Sequence, residues 1–281
     1  MLATSQQTRN DQNLPMRLIF SLLTALCLTA LPAVAHEFWI APEKFQVESG
    51  DQVIAHLRNG EMFRGADLAW FPHQSARTGI ILNDHEAPYE GRMGDIPAFS
   101  FEAPGDGLLT LLTVTEPAEV KYKSWEKFLA FTDDKGMDEI PDQHLARGLP
   151  QQDFWERYTR HVKALIAVGP GHGHDAERGM TTEFVALSNP YTDDMSNGLP
   201  VRLLLQGEPR ANAQIEIFAK APDGAVTRSV THTDAKGEAL IPVTPGNSYL
   251  LDAVAIRPAP DDGRAVWETF WATLVLALPS T

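Results

Sequence analysis

The chain has 281 residues, 43% of them hydrophobic and 21% charged, with 23 Lys and Arg against 37 Asp and Glu for a net charge of −14. That is the mixture of a globular protein with enough residues for a sizeable core, and it excludes a disordered or low-complexity chain. So acidic a surface repels phosphate backbones, which argues against nucleic acid as a partner and makes cations the attracted species.

Arg17 precedes a 14-residue apolar run, Leu18–Leu31, which closes on Pro32-Ala33-Val34-Ala35. A basic flank, a short apolar run and a small-x-small ending predict a secretory signal peptide over residues 1–35, cleaved after Ala35, with Met16 as an alternative start. The run falls short of the ~20 apolar residues of a membrane span. Cys27 lies inside it, and bulky Leu26 before that cysteine argues against a lipid anchor. Cleavage leaves 21 basic against 36 acidic residues, a net charge of −15, and no cysteine. Disulfides and thiolate metal ligands are then excluded together, and an exported soluble protein is expected.

Strand patterns follow. Phe45 and Val47, then Val53, Ala55 and Leu57, alternate with polar residues around a Ser49-Gly50-Asp51 turn, and apolar runs recur at Gly79–Leu82, Ala98–Phe101 and Gly107–Thr115. The period then changes. Trp125, Phe128 and Leu129 predict a helix stopped by Gly136, and Phe154, Tyr158, Val162, Leu165 and Ile166 predict a second one between Pro150 and Gly169. Glu183–Asn189 returns to strand. Asn189-Pro190-Tyr191 and Asn197-Gly198 read as a linker, and six further strand runs lie between Val201 and Leu276. The expectation is a mainly β protein of two β-sandwich (Ig-like) domains with an α-helical insertion. The N-terminal sandwich covers 36–190, its insertion about 119–169, and the C-terminal one 198–281.

Chemistry has one distinctive address. Cleavage after Ala35 makes His36 the first residue, offering its α-amine and ring Nδ1 to one metal ion. A second histidine would complete a histidine brace, whose planar nitrogen set suits Cu(II). His232, on a strand in register with Val226 and Val230, is the candidate second ligand. His172 and His174, followed by Asp175 in a glycine-rich loop, form a candidate capture loop. His56 and His85 read as surface residues, His73 and His144 as loop or helix-edge residues, and His161 as a helix-boundary residue. No HExxH, GxSxG, GxxxxGK[ST] or GxGxxG signature is present, so no enzyme class is indicated.

The start HEFWIAPEKFQVESGDQV, with WEKF, YTRHVKALIAVG, NPY, TDAKG and WETFWATLVL further on, resembles an exported bacterial domain-of-unknown-function family. That family is often described as the periplasmic component of cobalt- or nickel-type ABC transport. The resemblance implies β-sandwich domains, transition-metal handling and a metal-binding N-terminal histidine matching His36. Relatives often carry a histidine after Ala-Val in the penultimate strand, where this chain has Ala255. The expected function is therefore a periplasmic accessory protein binding copper, nickel or cobalt, with an inner- or outer-membrane transporter as partner. The alternatives are a metal-free Ig-like interaction module docking on a membrane transporter or receptor, and a histidine-brace copper oxygenase.

Overall fold

His36 leads straight into β1 (Glu37–Pro42), all six residues of which are buried. The computed structural model describes residues 36–280; the expected signal peptide lies outside the described residues. Next come β2 (Gln46–Val47) and β3 (Gln52–Glu61), where Val53, Ala55 and Leu57 face inward as their alternation predicts. The chain reverses into β4 (Arg64–Leu68) through Met62 and Phe63, whose φ angles of 52° and 54° are those a two-residue hairpin turn demands. Gly60 and Gly65 face each other there, and a Cβ on Gly65 would lie 2.8 Å from the Trp39 ring. The missing side chain makes room for Trp39, which packs edge-on against Phe63 at 5.8 Å.

A 3-10 turn (Pro72–Gln74) leads into β5 (Ser75–Leu82), β6 (His85–Pro88), β7 (Phe99–Glu102), β8 (Gly107–Thr115) and β9 (Ala118–Tyr122). Two helices follow, α1 (Trp125–Asp134) and α2 (Ile140–Ala146), with Gly136 at a φ of 64° ending the first excursion. The remaining strands are β10 (Phe154–Val168), β11 (Thr182–Ala186), β12 (Leu199–Leu205), β13 (Glu208–Pro209), β14 (Gln214–Lys220), β15 (Val226–His232), β16 (Glu238–Ile241), β17 (Ser248–Pro258) and β18 (Ala265–Ala277).

These strands make three sheets. The largest runs β15-β14-β17-β18-β10-β8-β5-β6, with β2 and β9 also paired to β10; the other two are β1-β3-β4 with β7, and β11-β12-β13 with β16. Adjacent residues of the large sheet divide between two cores. Leu109, Ile166, Phe218, Leu250 and Val275 pack with Trp39, Ile40, Val53 and Phe99 from the β1 sheet. Their chain neighbours Leu108, Leu165, Ile217, Leu251 and Leu274 pack with Phe184, Val201, Leu203 and Ile241 from the β11 sheet. The protein is thus mainly β, in three layers, with the large sheet covered on both faces. That is why its strands read as continuous apolar runs. A third cluster seats α1 and α2 on it through Phe128, Phe131, Trp267 and Trp271.

Strands from either side of the 189–198 segment pair with each other in two sheets. β10 and β18 run parallel from Trp155↔Ala265 to Ala164↔Val275, and β11 pairs antiparallel with β12. The 189–198 segment itself connects two neighbouring strands of one sheet.

One expectation is corrected here. Residues 154–168 form a strand of 15 residues, the longest among the described residues, and not the second helix. Phe154, Tyr158, Val162 and Ile166 recur every four positions, which a helix satisfies, but four is even and a strand satisfies it equally. Burial on both sides from His161 to Val168 removed the polar alternation that would have separated the two. The helical insertion is accordingly limited to α1 and α2. His161 therefore sits inside a sheet, its Nδ1 3.2 Å from the Trp271 carbonyl, and burial pushes its pKa down to about 4.

His144 is likewise a core residue and not a helix-edge one. Trp267 Nε1 donates to its Nδ1 at 2.9 Å, and its Nε2 donates to the Pro150 carbonyl at 3.0 Å. Burial lowers its pKa, which keeps the imidazole neutral, the form both bonds require. His56 is half-buried between Glu43, at 3.2 Å, and Asp67, at 3.0 Å.

Candidate functional site

His36 stands at the head of β1, where Glu37 pairs with Gly60 of β3. Its side chain is 55% exposed, and Nε2 lies 3.6 Å from Glu61 Oε1. Its backbone is held, since Arg160 Nη1 of β10 donates to the His36 carbonyl at 2.8 Å. With Nε2 turned toward a carboxylate, Nδ1 is the ring nitrogen left for another partner.

The other predicted residues are placed elsewhere. His232 is exposed at the end of edge strand β15, opposite Gln214. His172 and His174 are exposed, and His174 Nε2 lies 3.7 Å from Asp84 Oδ2. The carboxylate expected to complete the capture loop is not free. Asp175 is buried, takes Lys163 Nζ at 3.0 and 2.9 Å, and accepts the Ala176 and Ala186 amides. Glu183 adds a second carboxylate 3.5 Å from the same ammonium. Asn189 Nδ2 donates to the Gly171 and Gly173 carbonyls, so the loop is tied to the body at both ends. Among the described residues, no three His, Cys, Asp or Glu side chains converge as a cation site.

Beneath β1 lies a buried charge cluster. On the large sheet Glu216 of β14 stands directly across from Asp252 of β17, and Asp252 across from Thr273 of β18. Like charges so paired repel, and Lys135, just past α1, puts its ammonium between them, against Glu216 and 3.4 Å from Asp252. Burial acts against that charge, but Asp252 and Glu216 outweigh it and raise the Lys135 pKa. Arg228 closes the outer side against Glu216 and Asp134, 2.8 Å away. Glu37 faces the same cluster, its Oε2 buried without a hydrogen-bond partner. Burial, then the Asp252 charge, pushes its carboxyl up to about 8, so it keeps its proton at neutral pH. Glu156 nearby is pushed up to about 7 by burial, against hydrogen bonds from Thr269 and Tyr122 that pull the other way.

Sequence reasoning passed over this cluster, although a signal was present. Glu216 sits inside Ile215–Phe218 and Asp252 inside Leu250–Val254, and an acid within an apolar run needs a buried partner. Chemically the cluster is a lock. Its cation position is filled by the protein's own lysine, and it fastens the end of α1 to the sheet.

The fold is that of a mainly β protein in which β1, preceded by His36, lies on one face of a large sheet. The chain belongs to the family described as Domain of unknown function (DUF4198), which it matches over residues 33–257. No curated protein matches it. Among solved structures it is similar to a tetra-tandem repeat in the extending region of a large adhesion protein, at 11% identity and a TM-score of 0.21, covering 86% of this chain. The chain spans about half (49%) of the length of that structure. It is also similar to the D0-D1 domain of intimin, at 11% identity and a TM-score of 0.18, covering 85% of this chain and 97% of the other.

Proposed function

We propose that this chain is an exported periplasmic accessory protein that binds a transition metal, copper or nickel or cobalt, through His36 once the segment ending at Ala35 is removed. The carrying observation is the His36–Glu61 pair. A metal-bound imidazole holds its ring orientation by donating its other N–H to a carboxylate or carbonyl. Here Nε2 faces Glu61 at 3.6 Å, which leaves Nδ1 and the adjacent α-amine to close a chelate. Arg160 fixes the His36 carbonyl at 2.8 Å and so restrains the chelating residue. The residues present thus fit a two-nitrogen anchor in which solvent, the cargo's own ligands or a partner protein complete the coordination. An open site of that kind suits transfer of a metal better than permanent storage. The charge of −15 expected after cleavage raises the local cation concentration without selecting a metal.

The test is Cu(II) and Ni(II) titration of two forms, one beginning at His36 and one with a single glycine added before it. The extra residue converts the chelating amine to an amide and leaves every side chain in place. Tight binding in the first form alone, with nitrogen hyperfine structure in the Cu(II) EPR spectrum, is the expected result. Equal binding in both moves the site to other residues, with His172 and His174 the first to substitute. Binding in neither overturns the metal reading and leaves an Ig-like module that docks on a membrane transporter or receptor.

A further inference from the structure

Next to His36, but independent of any metal there, a cleft of about 380 Å³ opens between β1, β3, β4, the 3-10 turn, the β8–β9 connection and β10. Its polar floor is Arg160. The guanidinium lies 5.6 Å from the Phe38 ring, 5.3 Å from Tyr158 and 5.2 Å from Trp271, a cage of aromatic faces. Its only side-chain hydrogen bond among the described residues is the one to the His36 carbonyl. Burial lowers its pKa, against Tyr158 and Asp252, which act on it in the opposite sense. A half-buried guanidinium set among aromatic faces with no carboxylate in hydrogen-bond contact keeps donors of its planar fork free for an anion.

A second observation comes from β3. Asn59 of β3, in register with Phe38, lines the same cleft, and its Oδ1 is buried with no hydrogen-bond partner. Its Nδ2 is not among the buried atoms and is the donor this side chain offers to a ligand. Leu68 and Tyr158 supply apolar wall, and Leu68 is exposed at 36% although it lines a cavity. Glu116 and His73, both exposed, also line the cleft, whereas Arg160 is half-buried.

We propose that this cleft is a binding site for a small carboxylate with an apolar or aromatic body, its carboxylate taken by Arg160 with Asn59 as second donor and its body lying against Phe38, Tyr158 and Leu68. The site requires neither cleavage after Ala35 nor a metal, so its test is separate from that of His36.

The probes are benzoate and acetate, with benzamide as the uncharged match, followed by calorimetry and by amide NMR shifts on the purified protein. Benzoate is expected to bind saturably, with shifts centred on Phe38, Asn59 and Arg160 and with affinity at least about tenfold above that of benzamide. Arg160→Lys, which keeps the charge but loses the fork, is expected to weaken benzoate about tenfold. If that variant fails to fold, Leu68→Glu carries the test, because it alters an exposed residue and places a negative charge in the cleft. Equal affinity for benzoate and benzamide overturns the proposal. So does wild-type affinity in the folded variants, a shift pattern centred elsewhere, or no saturable binding of either carboxylate.

Discussion

The ammonium of Lys163 and the carboxylate of Asp175 meet at 3.0 and 2.9 Å with side chains only 1% and 0% exposed. One sits in the middle of β10, the other in the glycine-rich loop after it, so the pair staples that loop to the large sheet. Removing one partner leaves a buried, uncompensated charge. Lys163→Met is expected to lower unfolding free energy by about 3–5 kcal/mol, because both Asp175 and Glu183 then lose their cation. Chemical denaturation checks this. Adding Asp175→Asn to that variant should recover part of the loss, and a still larger loss would contradict the staple.

Stability should fall as pH rises through neutrality. Burial holds Glu37 up to about 8 and Glu156 up to about 7, and burial raises Asp252 as well. From the unfolded carboxyl value of ~4.3 up to those values, the folded chain keeps protons that the unfolded chain has released, so each unit of pH favours unfolding. His161 works in the opposite sense. Held down to about 4, it supports the fold above its unfolded value and loses that support as pH falls toward 4. Urea midpoints from about pH 5 to 8 should decline, and Glu37→Gln should flatten the decline. An unchanged slope in that variant would remove Glu37 from the account.

His144→Phe should cost about 1–3 kcal/mol despite conserving a buried ring. It strips the acceptor from the fully buried Trp267 Nε1 and the donor from the Pro150 carbonyl. The melting temperature is the measure, and near-UV circular dichroism should report the change around Trp267. A neutral outcome would mean that solvent reaches the cluster.

Glu61→Gln tests the metal anchor without touching a metal ligand. Outer carboxylate partners of ligating histidines are worth about 10–100-fold in affinity, so Cu(II) should bind the form beginning at His36 about tenfold more weakly in this variant. The form with an added glycine should show no such difference. Equal loss in both forms would place Glu61 itself among the ligands.

Strand after strand was readable from residue pattern. Val53, Ala55 and Leu57 alternate, Gly136 marks the end of α1, and Gly107–Thr115 appears as one apolar run. The proposal for His36 comes from the sequence, because it requires only a position after a small-x-small ending. β10 was misread because its period of four suits two conformations and its burial on two faces hides the distinction. The loop histidines were paired with Asp175 by proximity in sequence, whereas Lys163, twelve residues away, had the stronger claim on that carboxylate in a dry interior.

By itself, then, the amino-acid order determined a β-rich chain, the first helix of the insertion, an acidic composition and a histidine positioned just ahead of a strand. It did so through local rules: side-chain period, turn chemistry and charge balance act within a few residues. Only the tertiary structure decided that one sheet would lie between two others and that Lys135 would separate Glu216 from Asp252. It alone brought Arg160, Asn59 and Phe38 to a single cleft beside His36. Those outcomes depend on residues about 20 to more than 100 positions apart, where the cost of burying a charge or an amide is settled by whatever the fold brings against it.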